Sequence, residues 1–173
     1  MSGAITAESL RRAFDERFAE PAAARAPEGE RLLLVDLGGA RVALRVGELS
    51  GLHPVGKIVR LPGGSADLVG ITGIRGRVVP VFDLAALLGA PPAARPRRFI
   101  ALAGAGERVG LLVAEIEGWV EIGRAEIRAA AGDAGGHHVP ELACVSGALL
   151  PVPSIPSLLR EIAARAHQGG AAR

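Results

Sequence analysis

The feature that most constrains how this chain can fold is an internal repeat. Gly39-Ala-Arg41-Val42-Ala-Leu44-Arg-Val46-Gly-Glu48-Leu49 aligns with Gly106-Glu-Arg108-Val109-Gly-Leu111-Leu-Val113-Ala-Glu115-Ile116, with six identities at an offset of 67. Further on, Gly76-Arg-Val-Val-Pro80-Val81-Phe-Asp83-Leu84-Ala-Ala-Leu87-Leu88 aligns with Gly147-Ala-Leu-Leu-Pro151-Val152-Pro-Ser154-Ile155-Pro-Ser-Leu158-Leu159 at an offset of 71. The matches come in the same order in both halves, and each half ends as turn, strand, cap and short helix. Such a chain is two copies of one unit. A unit of roughly 60 residues buries too little surface to be stable alone, whereas two packed together share a core. Closing the strands into barrels also removes exposed edges.

The units read as β structure. Leu32 to Leu37 is apolar, Gly38-Gly39 is a hairpin turn, and Val42 to Val46 returns. Further strands are expected at Ile58–Leu61, Leu68–Ile74, Val78–Phe82, Phe99–Ala103, Arg108–Val113, Trp119–Ile122 and Leu149–Val152. Asp83 is placed to cap a short helix through Leu88, and Ser154 to cap a last helix carrying Leu158, Leu159 and Ile162. The Ala- and Gly-rich stretch 124–138 has no assignable pattern. Before the repeat, Leu10, Phe14 and Phe18 recur at i, i+4, i+8, which predicts a short amphipathic helix, with Thr6 as its cap. The expected organisation is a helix and linker over 1–30 and a main domain over 31–165, with barrels at about 31–90 and 98–165. A tail follows at 166–173.

Aromatic residues are 3% of the chain, so the core must be built from Val, Leu, Ile and Ala. The net charge is +2 with the two signs interspersed. The densest basic run, Arg95-Pro96-Arg97-Arg98, lies in a Pro-rich linker, and no basic face interleaved with aromatics points to nucleic acid. With one cysteine, Cys144, an internal disulfide is excluded, which fits a reducing compartment. There is no leader-like apolar segment at the start and no apolar run of bilayer-spanning length, so a cytoplasmic protein is expected.

The motifs that resemble catalytic or cofactor sites fail on spacing or context. Gly51-Leu-His-Pro-Val-Gly56-Lys57-Ile58 approaches a phosphate-binding loop but lacks the Ser or Thr for magnesium, and a strand and turn follow where a helix is needed. Gly70, Gly73 and Gly76 lack the dinucleotide spacing and read as turns and strand kinks. His137-His138 has no third metal ligand at a usual spacing and is expected in a solvated loop. Cys144 reads as a small buried hydrophobe and Glu115 and Glu117 as a solvated strand face, while Trp119 is either core, the favoured reading, or a surface anchor at a partner interface. Arg75 stands where the strand pattern breaks, so a turn would project its guanidinium outward. In the repeat its place is taken by Ser146, so the fold itself does not require arginine there. No nucleophile–base pair or metal set is visible, and neither catalysis nor a cofactor is expected.

Gly70-Ile-Thr-Gly-Ile-Arg75-Gly76-Arg-Val-Val-Pro80-Val81-Phe-Asp83-Leu84 resembles the signature segment of CheW-like domains, the coupling proteins of bacterial chemosensory arrays. Val42 to Leu49, Leu61-Pro62 and Arg108 to Val113 resemble flanking parts of the same pattern, so the likeness spans about residues 31 to 162. The resemblance implies a mainly β fold of two intertwined, SH3-like five-stranded barrels. It also implies a non-catalytic adaptor that binds the cytoplasmic tip of methyl-accepting chemoreceptors and a CheA-type histidine kinase. Carried over, Val46, Glu48, Gly70, Ile74, Arg75 and Gly76 would lie on or beside the receptor-binding surface, with Arg75 as a polar anchor beside an apolar groove. Two segments depart from the family pattern: Glu115-Ile-Glu-Gly-Trp119, and Pro153-Ser154-Ile155-Pro156 before the last helix. The competing reading is an SH3- or OB-like module that binds protein or nucleic acid outside chemosensing.

Overall fold

The computed structural model describes residues 29–62, 65–91, 95–104, 109–130 and 138–170. The helix expected around Leu10, Phe14 and Phe18, its linker and residues 131–137 lie outside the described residues. In chain order the elements are β1 (Gly29–Asp36), β2 (Arg41–Arg45), a 3-10 turn (Val46–Glu48), β3 (Leu49–Pro54), β4 (Leu68–Ile74), β5 (Arg77–Asp83) and α1 (Leu84–Leu87). There follow β6 (Phe99–Ala103), β7 (Val109–Val113), β8 (Glu115–Gly123), a 3-10 turn (Arg124–Glu126), β9 (Ile127–Ala129), β10 (Glu141–Val145), β11 (Ala148–Val152) and α2 (Ile155–Gly170). The chain is therefore mainly β, and its last helix continues through the expected tail to Gly170.

The strands pair across the repeat. Hairpin β6–β7, from the second half, inserts between β3 and β5 of the first, giving the order β3-β6-β7-β5-β4. In exchange, hairpin β1–β2 joins the second half: β1 pairs β8 antiparallel, and β2 packs beside β11 of the β11-β10-β9 sheet. The boundaries expected at 31–90 and 98–165 are thus crossed by both hairpins. The reason is physical: each half's first hairpin supplies part of the other half's core.

Three apolar layers result. Leu32 and Leu34 of β1 pack with Ala43, Ile122, Ala143, Val145, Leu150 and Val152 inside one barrel. Ile74, Val79, Val81, Ile100, Leu102 and Leu112 fill the other. Between them, Leu33, Val35, Val42, Leu44, Ala101, Ala103, Leu111 and Val113 form a central layer, closed by Leu84 and Leu87 of α1 and by Ile155 and Leu158 of α2. Strands β1, β6 and β7 are buried on both faces, so their sequences are continuous apolar runs with no alternation.

Charged groups tie the exchanged hairpin down. The Arg45 guanidinium of β2 bonds Glu30 of β1 at 2.8 Å and also Glu141 of β10. Arg41 makes a two-toothed contact with Glu117 of β8, its Nε donating to Oε1 at 2.9 Å and its Nη2 donating to Oε2. Asp36 closes the β1–β2 turn by accepting from the amides of Gly38 and Gly39, and these bonds hold its carboxyl below the ordinary carboxylate range.

Both halves use the same hairpin turn. Arg75-Gly76 joins β4 to β5 and Ser146-Gly147 joins β10 to β11, each as a two-residue loop. The φ angles are 48° and 76° in the first, 50° and 81° in the second. Two consecutive positive φ values define the turn whose twist matches the flanking strands, and the glycine meets the second at little strain. The expected strand Ile58–Leu61 is instead a single antiparallel bridge, Val59 to Ile71. Gly70 allows it, because a β-carbon there would lie 2.3 Å from the Val59 carbonyl oxygen.

Gly70→Ala combines that clash with a disallowed φ of +154° and should destabilise the fold by about 2 kcal/mol or more. Gly73→Ala, where the added methyl meets nothing within 4 Å, should stay within about 1 kcal/mol of wild type. Urea titrations of the two variants check this, and equal midpoints would remove the argument for close approach at Gly70.

Candidate functional site

Two depressions mark the surface. The first is an apolar groove of about 490 Å³ along the seam where β1 and β8 meet the 3-10 turn and β3. Leu33, Val46, Leu49, Leu52 and Trp119 line it with Gly51, and Arg31 and Ser50 add the polar groups. Trp119 is 66% exposed, Leu52 41% and Val46 36%, so large apolar side chains face solvent together.

Trp119 was expected in the core, and the structure places it outside. On β8, alternation sends Glu117, Trp119 and Glu121 to the solvent face while Ile122 packs inward. The acidic residues two positions to either side of the tryptophan were the sequence signal. Poverty in aromatics pointed the other way, yet aliphatic side chains fill most of this core, with Phe82 buried among them and Phe99 against it, and the indole is not needed there.

The second depression, about 590 Å³, lies against β4 and the Arg75-Gly76 turn. His53, Lys57, Val59, Thr72, Ile74, Arg75 and Val78 are among its lining residues, and Val59 and Val78 are exposed. The Thr72 hydroxyl donates to the Lys57 carbonyl at 2.9 Å and fixes the segment that follows β3. The buried Nε2 of His53 has no hydrogen-bond partner among the described residues.

The residues carried over from the resemblance occupy different places. Val46 lies in the apolar groove. Ile74 is buried but lines the second depression, while Arg75 and Gly76 are exposed at the hairpin tip beside it. Gly70 is buried and serves the bridge to Val59. Glu48 reaches across the molecule, its carboxylate accepting from the Ile155 amide at 2.9 Å, and so caps the start of α2. A negative charge there also complements the positive end of the helix.

The same helix is held from its flank. His138, expected in a solvated loop, has a largely buried ring that contacts the Ser157 hydroxyl through Nδ1 at 3.1 Å and the Glu161 carboxylate through Nε2. Glu161 also bonds Arg165, which pairs with Asp67 at 2.6 Å. Serine, histidine and carboxylate stand here in the order of a nucleophilic relay. However, neither depression includes them and the carboxylate is shared with an arginine, so the set acts as a fastening for α2. Desolvation alone would raise the Glu161 pKa, but His138 and Arg165 together outweigh it and hold it below the ordinary range. Cys144 is half-buried with a free thiol. Among the described residues no cluster of His, Cys, Asp or Glu could hold a metal ion, and no helix is long and apolar enough to cross a membrane.

The family model of the CheW-like domain matches residues 31–163. The chain belongs to the CheW-like domain family. A solved structure with the same architecture is the scaffolding protein TtCheW from Thermoanaerobacter tengcongensis, with a TM-score of 0.65 and 18% identity over 73% of this chain and 89% of that one. A search of curated proteins gave no significant match. The CheW-like family is one of non-catalytic scaffolds. The departure from its pattern at Pro153-Ser154-Ile155-Pro156 leaves the helix start intact. Ser154 Oγ accepts from the Ser157 amide at 3.3 Å, and Pro156 sits in the first turn, where its missing N–H is not needed.

Glu48→Ala should loosen the start of α2 and cost about 1–2 kcal/mol of stability, read by thermal unfolding and by loss of helical signal. An unchanged melting curve would show that the cap carries no weight. Because the folded Glu161 pKa is depressed, its contribution is present above the ordinary carboxylate range and is lost as pH falls through the folded value. Wild type should therefore be more stable than Glu161→Gln near neutrality, and the gap should close in acid.

Proposed function

We propose that this protein is a non-catalytic adaptor that couples methyl-accepting chemoreceptors to a CheA-type histidine kinase in bacterial chemosensory signalling. The reading places it in the cytoplasm, at membrane-bound receptor arrays. The observation that carries it is the seam groove. Chemoreceptor tips are helical, and an amphipathic helix binds by laying its apolar face into a groove of this kind. Trp119 is the largest exposed anchor in the groove and Val46 and Leu52 flank it, the arrangement expected of a binding hot spot. The Arg75-Gly76 tip, with Val59 and Val78 beside it, offers a second contact surface. Affinity at each contact can be modest, because an array supplies many contacts at once.

The test is co-sedimentation with membranes carrying receptor and kinase, together with kinase activity. Wild type should pellet and raise activity. Trp119→Ala should weaken receptor association by about 30-fold, or roughly 2 kcal/mol. Arg75→Glu, at an exposed turn, should stay folded and lose coupling. Wild-type failure to bind either partner would reduce the likeness to one of fold. Undiminished binding by folded Trp119→Ala would remove the groove from the reading.

A further inference from the structure

The groove has a candidate occupant in the chain itself. We propose that the N-terminal segment carrying Leu10, Phe14 and Phe18 docks into the seam groove of its own domain and competes there with the partner helix. The proposal rests on the reading that this groove accepts an amphipathic helix.

Position comes first. The chain enters β1 at Gly29, and Arg31 and Leu33, two and four residues later, already line the groove. Leu33 is paired with Trp119 in the β1–β8 register. The groove therefore begins within roughly 15 Å of the point where the N-terminal segment joins the fold, at about 3.3 Å per strand residue. The residues between Phe18 and Gly29 can span roughly 35 Å when extended, ample for the segment to turn back.

Chemistry agrees with position. Leu10, Phe14 and Phe18 recur at the spacing that forms one stripe along a helix. Two of the chain's four phenylalanines are in that stripe, and its one tryptophan is the exposed anchor of the groove. A short tether also gives an effective concentration in the millimolar range, so a weak contact suffices for occupancy. An incoming helix must displace this occupant, and its apparent affinity falls by the fraction of grooves left open.

Trp119 is the chain's single tryptophan, so its fluorescence reports on the groove directly. The full-length chain is compared with Phe14→Glu/Phe18→Glu, both outside the barrel domain, with matching melting curves as the check on folding. The proposal requires the variant's emission to shift to longer wavelength and its access to acrylamide to rise, by the same amount at every protein concentration. Identical spectra would overturn it. So would a shift that appears only as concentration rises, which would assign the groove to the segment of a second copy. No receptor is present, so this outcome is independent of whether the groove also binds a receptor.

Discussion

The structure depends on strands that are buried on both faces. Leu32 and Leu34 point into one barrel while Leu33 and Val35 point into the layer shared with the other. The same division holds on β6, where Ile100 and Leu102 face a barrel and Ala101 and Ala103 face the shared layer. A strand in this position cannot be withdrawn without opening two cores, and the hairpin exchange follows from that. Each hairpin is too apolar to face water on either side, so it must be sandwiched, and the other repeat supplies the second cover. The two halves are therefore expected to unfold together, since neither retains a complete core alone.

Much of this was written in the sequence because the repeat carried its turn chemistry with it. Arg75-Gly76 and Ser146-Gly147 differ in side chain yet share their backbone angles, so the alignment of the two segments predicted a real structural equivalence. The caps at Asp83 and Ser154 were legible for the same local reason, a short oxygen-bearing side chain ahead of an apolar turn. Strand β3 was not legible. Its Gly51, His53 and Pro54 suit a loop, and it is a strand because β6, from the other repeat, pairs with it. Partner choice was hidden in general, since an apolar run looks the same whether its neighbour comes from its own half or the other.

The site was less legible than the fold, and for a different reason. Resemblance supplied six residues as one surface, but side chains serve whatever neighbours the fold gives them. Glu48 is engaged by an amide 107 positions away, and no spacing rule connects them. His138 lies next to an unpatterned loop, and only the path of α2 brings Ser157 and Glu161 to it. Trp119, by contrast, could have been placed outward by period-two alternation alone, had that signal been weighed above composition.

The seam location gives the groove a property that a pocket within one barrel would lack. Its walls come from β3, which belongs to the five-stranded sheet, and from β1 and β8, which belong to the other barrel. A helix lying there would touch both barrels at once, and its binding energy would depend on how they sit against each other. The central layer makes that relation stiff, since Leu33 and Leu49 of the groove pack in or against the same layer as Leu84 and Ile155. Packed interiors resist small displacements. Force applied at the groove would thus be carried through the shared layer to α1 and α2, not absorbed locally. In a family of non-catalytic scaffolds, rigid transmission of this kind is a physical means by which a contact made at one surface can alter the geometry of another.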